Sequence, residues 1–189
     1  MERRDHTDRS APDRMAHVVF RTADKRALLD WYCKVLDGHM VFENDFIGFL
    51  TYDDEHHRIA AIQAPGLVRN SASSAGLHHI AFTYGSLRRL LANYERLRDA
   101  GIAPSHCVNH GPTTSMYYKD PDGNLVELQI DNFATNAETD AWIRSPEFAE
   151  NPIGVDFDPE TLLARFRNGE PESDLKKRPN IGPRGLPAR

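Results

Sequence analysis

The chain has 189 residues, 40% of them hydrophobic, with a formal net charge of −5. That length and composition suit one cored domain, or one domain with an appendage. No basic stripe interleaved with aromatics points to nucleic acid, and no apolar run reaches membrane-spanning length, so neither partner is expected.

The opening segment "MERRDHTDRSAPDR" is polar and lacks the apolar region of a signal peptide. It is expected to be a disordered arm over residues 1–14, with His6 solvated, on a cytoplasmic protein. From His17, "HVVFRTADKRALLDWYCKV" reads as a short alternating strand followed by a helix carrying Ala27, Leu28, Trp31, Tyr32, Val35 and Leu36 at helical spacing, stopped by Gly38. Strands are expected next over 39–43, 46–51 and 58–63.

"HIAFTYGSLRRLLANYERL" from His79 repeats that pattern. The offset of 62 (79 − 17) carries Phe20 onto Phe82, Leu28 onto Leu90, Leu29 onto Leu91 and Tyr32 onto Tyr94, which marks an internal duplication. The second helix starts at the N-cap Ser86 and ends at Gly101. Strands over 105–109, 114–119 and 124–130 follow, the last two joined by the turn "DPDG". The fold class is therefore α+β: paired βαβββ modules over 15–64 and 77–131, making one domain over 15–131 around a shared pocket. A tail over 132–189 carries helix-start signals at Thr135 (with Glu138 three residues on), Ser145–Pro146 and Asp158–Pro159. Its apolar residues suffice to dock but not to fold alone. Cys33 and Cys107 sit in no metal-like spacing and read as buried free thiols.

Neighbouring side chains on a strand point to opposite faces, so His78 and His79 cannot share a site. The duplication selects His79, the counterpart of His17, and sends His78 to the other face. Two imidazoles at equivalent positions make a plausible pair of metal ligands that needs a third. Glu127, between Val126 and Leu128 on a strand that reads as central, is the best carboxylate, because an unpaired charge there would be costly and a cation would offset it. Each residue alone has an ordinary structural reading, and the three together favour a metal site.

"AHVVFRTAD…WYCKVLDG", "LHHIAFTY" and "YYKDPDGNLVELQ" resemble the vicinal oxygen chelate superfamily of glyoxalases, antibiotic-resistance proteins and type I extradiol dioxygenases. The resemblance covers residues 15–131. It implies modules forming a U-shaped mixed sheet around a divalent metal held by His17, His79 and Glu127. Glyoxalases add a fourth ligand from the last strand of the first module, which here offers only Gln63. Two histidines and one carboxylate leave three positions open, which suits Fe(II), with Mn(II) as an alternative, binding a catecholate and O₂ together. The resemblance also implies that His57 in "DDEHHRIAA" is an acid/base residue, that Tyr117 belongs to the active site, and that His110 hydrogen-bonds a substrate oxygen, although the loop after His110 is shorter than in familiar enzymes. An extradiol dioxygenase acting on a 2,3-dihydroxybiphenyl-like diol and O₂ is the expected activity. The familiar enzymes are twice this size, so a homo-oligomer is expected to replace their second pair of modules. The competing expectations are a glyoxalase- or epimerase-like lyase or isomerase, and a non-catalytic small-molecule-binding member.

Overall fold

The computed structural model describes residues 10–68 and 75–185. Residues 1–9, including His6 and most of the expected N-terminal arm, and residues 186–189 lie outside the described residues. The chain divides into two compact units, Met1–Leu67 and Val68–Arg189.

In the first unit, β1 (Val18–Thr22), α1 (Lys25–Leu36), β2 (His39–Glu43), β3 (Ile47–Thr51) and β4 (Ile59–Gln63) build a four-stranded sheet of order β1-β4-β3-β2. β1 and β4 pair in parallel and the other neighbours antiparallel, so the sheet is mixed. Phe20, Ala61, Gly48 and Leu50 share one face through the register Phe20↔Ala61↔Gly48. α1 covers that face with Leu28, Leu29, Tyr32 and Val35, all fully buried. The helix lies so close that a Cβ on Gly48 would stand 2.4 Å from Leu29 Cδ1.

The helix does not stop as the sequence predicts. The left-handed C-terminal residue is Asp37 (φ 53), not Gly38. Gly38 has a different role: a Cβ there would sit 2.6 Å from the carbonyl oxygen of Thr51, so the close approach of β3 selects glycine. Cys33 is half-buried rather than buried.

The second unit repeats the plan with β5 (His79–Thr83), α2 (Leu87–Asp99), β6 (His106–Asn109), β7 (Thr113–Lys119) and β8 (Leu125–Asp131). Ser86 caps α2, accepting from the Arg89 amide, and Gly101 (φ +77) follows its end as expected. Leu87, Leu90, Leu91, Tyr94 and Leu97 are buried on the helix, and Val126, Leu128, Ile130, Met116 and Tyr118 on the sheet face opposite the histidine. Burying apolar surface at about 25 cal/mol per Å² makes this helix-on-sheet layer the main stabilising contact of the unit.

The tail belongs to this unit. α3 (Asn136–Ile143) begins with a full capping box between Thr135 and Glu138, while α4 (Pro146–Glu150) and α5 (Pro159–Arg167) start at Ser145 and Asp158 with proline in the first turn. Between them β9 (Val155–Asp156) pairs with Val108 and Asn109, extending the sheet to β5-β8-β7-β6-β9. α6 (Glu172–Leu175) closes the described tail, and Leu162, Leu163 and Leu175 dock it. Cys107 is buried, which pushes its thiol up to about 12. Among the described residues no helix is long and apolar enough to cross a membrane.

Candidate active site

On the second sheet, the register Ala81↔Glu127↔Tyr117 places His79, Glu127 and Tyr117 on the face away from α2. His79 Nε2 stands 2.9 Å from Glu127 Oε2, whose side chain is only 6% exposed. A carboxylate so withdrawn from water needs partners, and here they are the His79 imidazole and the neighbouring Tyr117 hydroxyl. His78 is exposed, its Nδ1 2.7 Å from Nδ1 of His79. His78 precedes β5 and its ring stays against that of His79 rather than turning to the opposite face, while His79, at the duplicated position, is the one that meets the carboxylate.

Tyr117 continues the cluster. Its ring stacks on His106 at 4.3 Å between centroids and meets His79 edge-on at 5.5 Å. Its hydroxyl lies 2.9 Å from His110 Nε2, and His110 Nδ1 lies 2.5 Å from the carbonyl oxygen of Ile153. A carbonyl only accepts, so Nδ1 carries the proton of neutral His110 and Nε2 accepts from the Tyr117 hydroxyl. Burial lowers the His110 pKa, which favours that neutral form. Burial, followed by the nearby charge of Glu127, holds the Tyr117 phenol well above its ordinary pKa, so it remains a proton donor.

His17 and His57 belong to the first unit. His17 directly precedes β1, and its ring lies 4.4 Å from that of His57, which stacks on Phe49 at 4.6 Å. His56 Nδ1 approaches His57 Nδ1 at 2.6 Å. Burial, then the neighbouring imidazoles of His17 and His56, lowers the His57 pKa and favours its neutral form. Sequence reasoning did not single out Arg58. Its Nη1 donates to the carbonyls of Met15 (2.7 Å) and Ala16 (3.1 Å), while Nε and Nη2 grip Asp53. The guanidinium thereby fixes the chain immediately before His17.

Gln63 is committed elsewhere. Its Oε1 accepts from the Lys25 amide at 2.9 Å and its Nε2 donates to the Ala23 carbonyl at 2.5 Å, so both amide atoms serve the start of α1. Among the described residues no group of three or more His, Cys, Asp or Glu side chains is placed to hold a metal ion. The pairs His79–Glu127 and His17–His57 are each assembled within one unit. A cavity of about 750 Å³ is lined by Gly111, Phe133, Trp142, Lys177 and Arg178 among others, and by none of the candidate site residues.

Comparison with known proteins agrees with the architecture. The chain is 47% identical over 163 residues, 86% of each chain, to "Biphenyl-2,3-diol 1,2-dioxygenase 2" of Rhodococcus globerulus. It is 46% identical over 167 residues, 87% of this chain and 88% of the relative, to "Biphenyl-2,3-diol 1,2-dioxygenase 3" of the same organism. Among solved structures, a glyoxylase/bleomycin resistance protein/dioxygenase domain from Frankia sp. EAN1pec superimposes with TM-score 0.54 at 21% identity, covering 64% of this chain and 99% of that one. Lactoylglutathione lyase from Agrobacterium tumefaciens gives 0.51 at 19%, covering 63% and 94%. These two likenesses concern the fold. The sequence profile of the Glyoxalase/Bleomycin resistance protein/Dioxygenase superfamily matches residues 14–128, and the chain belongs to that superfamily.

Proposed function

We propose that the protein is an extradiol ring-cleavage dioxygenase that opens a catecholic, 2,3-dihydroxybiphenyl-like diol with O₂. The observation that carries the reading is the similarity to the two biphenyl-2,3-diol dioxygenases over 86% or more of their lengths. The duplicated histidines, the withdrawn carboxylate and the hydrogen-bonded Tyr117–His110 pair support it. In this reading residues 15–131 are the catalytic domain and 132–189 an appendage to it.

The donor set fits a divalent metal. Glu127 is a buried carboxylate beside His79, and His17 and His79 are imidazoles at equivalent positions of the two modules. His17, His79 and Glu127 would hold Fe(II), which when bound supplies acidification of a substrate hydroxyl and a place for O₂ beside it. Mn(II) suits the same oxygen- and nitrogen-donor set.

The chain's own groups do the remaining work. His57, neutral and backed by Phe49, accepts a proton from the diol and returns it as the O–O bond breaks. The Tyr117 oxygen accepts a hydrogen bond from a substrate hydroxyl, and His110 holds the phenol in place through its unprotonated Nε2. The lyase alternative requires a fourth ligand, and its sequence candidate Gln63 is already engaged at the start of α1.

The test is anaerobic reconstitution with Fe(II), addition of catechol or 2,3-dihydroxybiphenyl, and admission of air. The expected result is a yellow ring-opened product with matching O₂ uptake. A colourless mixture that consumes no oxygen across several diols would overturn the reading.

A further inference from the structure

We infer that the C-terminal segment from Asn151 to Arg178 is a strap that sets the tautomer and orientation of His110, with Arg178 as its positioning residue. The functional consequence rests on the dioxygenase reading above; the structural claim does not. The hydrogen bond from His110 Nδ1 goes to the main-chain carbonyl of Ile153, 43 residues away in the tail, and to no side chain. What holds that carbonyl therefore holds the ring.

Three features hold it, beside Arg184, whose Nη1 donates to the Gly154 carbonyl at 3.0 Å. The buried side chain of Asn151 accepts from the amides of Ile153 and Gly154 and donates to the Gly154 carbonyl, folding 151–154 into a fixed turn. Gly154 (φ +110) presses on the end of β6 so closely that a Cβ would lie 2.4 Å from the Asn109 carbonyl oxygen and 2.8 Å from His110 Cα. Arg178 then ties the two segments together. A single nitrogen, Nη1, contacts the carbonyl of Asn151 at 2.6 Å and the carbonyl of His110 itself at 3.3 Å, while Nη2 donates to the Glu147 carbonyl at 2.9 Å. The guanidinium also lies over the Trp142 ring at 5.1 Å, and that indole sits against Gly111, the residue after His110. Only a planar fork satisfies three carbonyls and a ring face together, so lysine is not an equivalent replacement.

Without the strap, His110 loses the acceptor that commits its proton to Nδ1. The Nε2–H tautomer then becomes accessible, and in that form Nε2 no longer accepts from Tyr117. The test is the ring tautomer of His110 in the full-length, ¹⁵N-labelled, metal-free protein, read from long-range ¹⁵N–¹H correlation and assigned by its loss in His110→Gln. Wild type should show Nδ1 protonated and Nε2 bare. Arg178→Met should give a mixture of tautomers, Arg178→Lys an intermediate pattern, and Arg165→Met, which breaks an exposed tail ion pair with Glu170, the wild-type pattern. Asn151→Ala loosens the turn from its other end and decides the matter should Arg178→Met not fold. In the Fe(II)-loaded enzyme with 2,3-dihydroxybiphenyl, Arg178→Met should lower kcat roughly ten- to hundred-fold, the scale of a misplaced positioning group, with little change in KM. A wild-type tautomer in folded Arg178→Met and Asn151→Ala overturns the strap. A scrambled tautomer with unchanged kcat overturns its role in turnover. Should wild type open no diol, the tautomer measurement still decides the structural claim.

Discussion

Replacing Tyr117 by Phe removes one oxygen from a residue that is 5% exposed and leaves the ring stacked on His106. The change deletes the 2.9 Å contact to His110 Nε2 and leaves that nitrogen, half-buried, without its phenolic donor. An ordinary hydrogen bond contributes about 1 kcal/mol net, and a buried group left without a partner costs about 1–3 kcal/mol. A loss of about 1–2 kcal/mol is therefore expected, or a melting point lower by roughly 2–8 °C for a chain of this size. The same deletion should slow ring opening by about two orders of magnitude, since the group that orients the substrate oxygen is gone. Thermal unfolding of the metal-free protein reads the first effect and oxygen uptake by the Fe(II)-loaded enzyme the second. His110→Phe removes the same bond from its other end, so the two substitutions should couple by about 1 kcal/mol in a double-mutant cycle, beyond the roughly 0.5 kcal/mol within which independent sites add. Additive stabilities together with wild-type turnover in Tyr117→Phe would show that the pair is packing and nothing more.

Three other perturbations probe different parts of the molecule. His57→Phe retains an aromatic ring against Phe49 and should bind iron as wild type does, yet turn over roughly 10²- to 10⁴-fold more slowly; full activity in that variant would remove His57 from the proton transfers. Arg58→Met frees the carbonyls of Met15 and Ala16 ahead of His17 and should weaken divalent metal binding by roughly ten- to hundred-fold, measured by calorimetric titration, while an unaltered affinity would mean that His17 needs no such support. Glu160 accepts from the Tyr94 hydroxyl and from Arg98, and those hydrogen bonds lower its pKa. Its stabilising effect is then fully present above the unfolded carboxyl value of about 4.3 and is lost as pH falls through the lower folded value. Glu160→Gln should melt below wild type at pH 7, with the gap closing at acid pH; a gap independent of pH would assign the loss to packing.

The sequence carried the architecture because the architecture is repeated. One βαβββ pattern is weak, but the 62-residue offset made each copy a check on the other, and the strands over 39–43, 46–51 and 58–63 begin and end within a residue of β2, β3 and β4. The choice of His79 over His78 is equally legible from the duplication, and the 2.9 Å contact from His79 to Glu127 follows once β5 and β8 are neighbours, although the two adjacent rings stay in contact instead of facing opposite ways. Asp37 escaped because aspartate in the left-handed region is a minority outcome and a glycine stood next to it; only the approach of Thr51 from β3 explains why that glycine is needed.

β9 escaped for a different reason. Two residues of bridge have no period to detect, and "NPIGVDF" marks a turn far more strongly than a strand. With β9 went everything that the tail does for His110. The partner of Nδ1 is a main-chain carbonyl, which has no letter in the sequence, and Arg178 is one basic residue in a Pro/Gly-rich run whose composition reads as loose. Side chains that act through their own chemistry announce themselves by type and spacing, which is how His17, His79 and Glu127 became the proposed metal ligands. Groups that act by holding another residue's backbone depend on where the chain returns in space, and 43 residues separate His110 from the carbonyl that fixes it. The consequence for the tail is specific: surface positions of its helices can be redesigned with little effect on His110, provided the turn at Asn151, the close contact at Gly154, Arg184 on the Gly154 carbonyl, and Arg178 with its supports at Trp142 and Glu147 are kept.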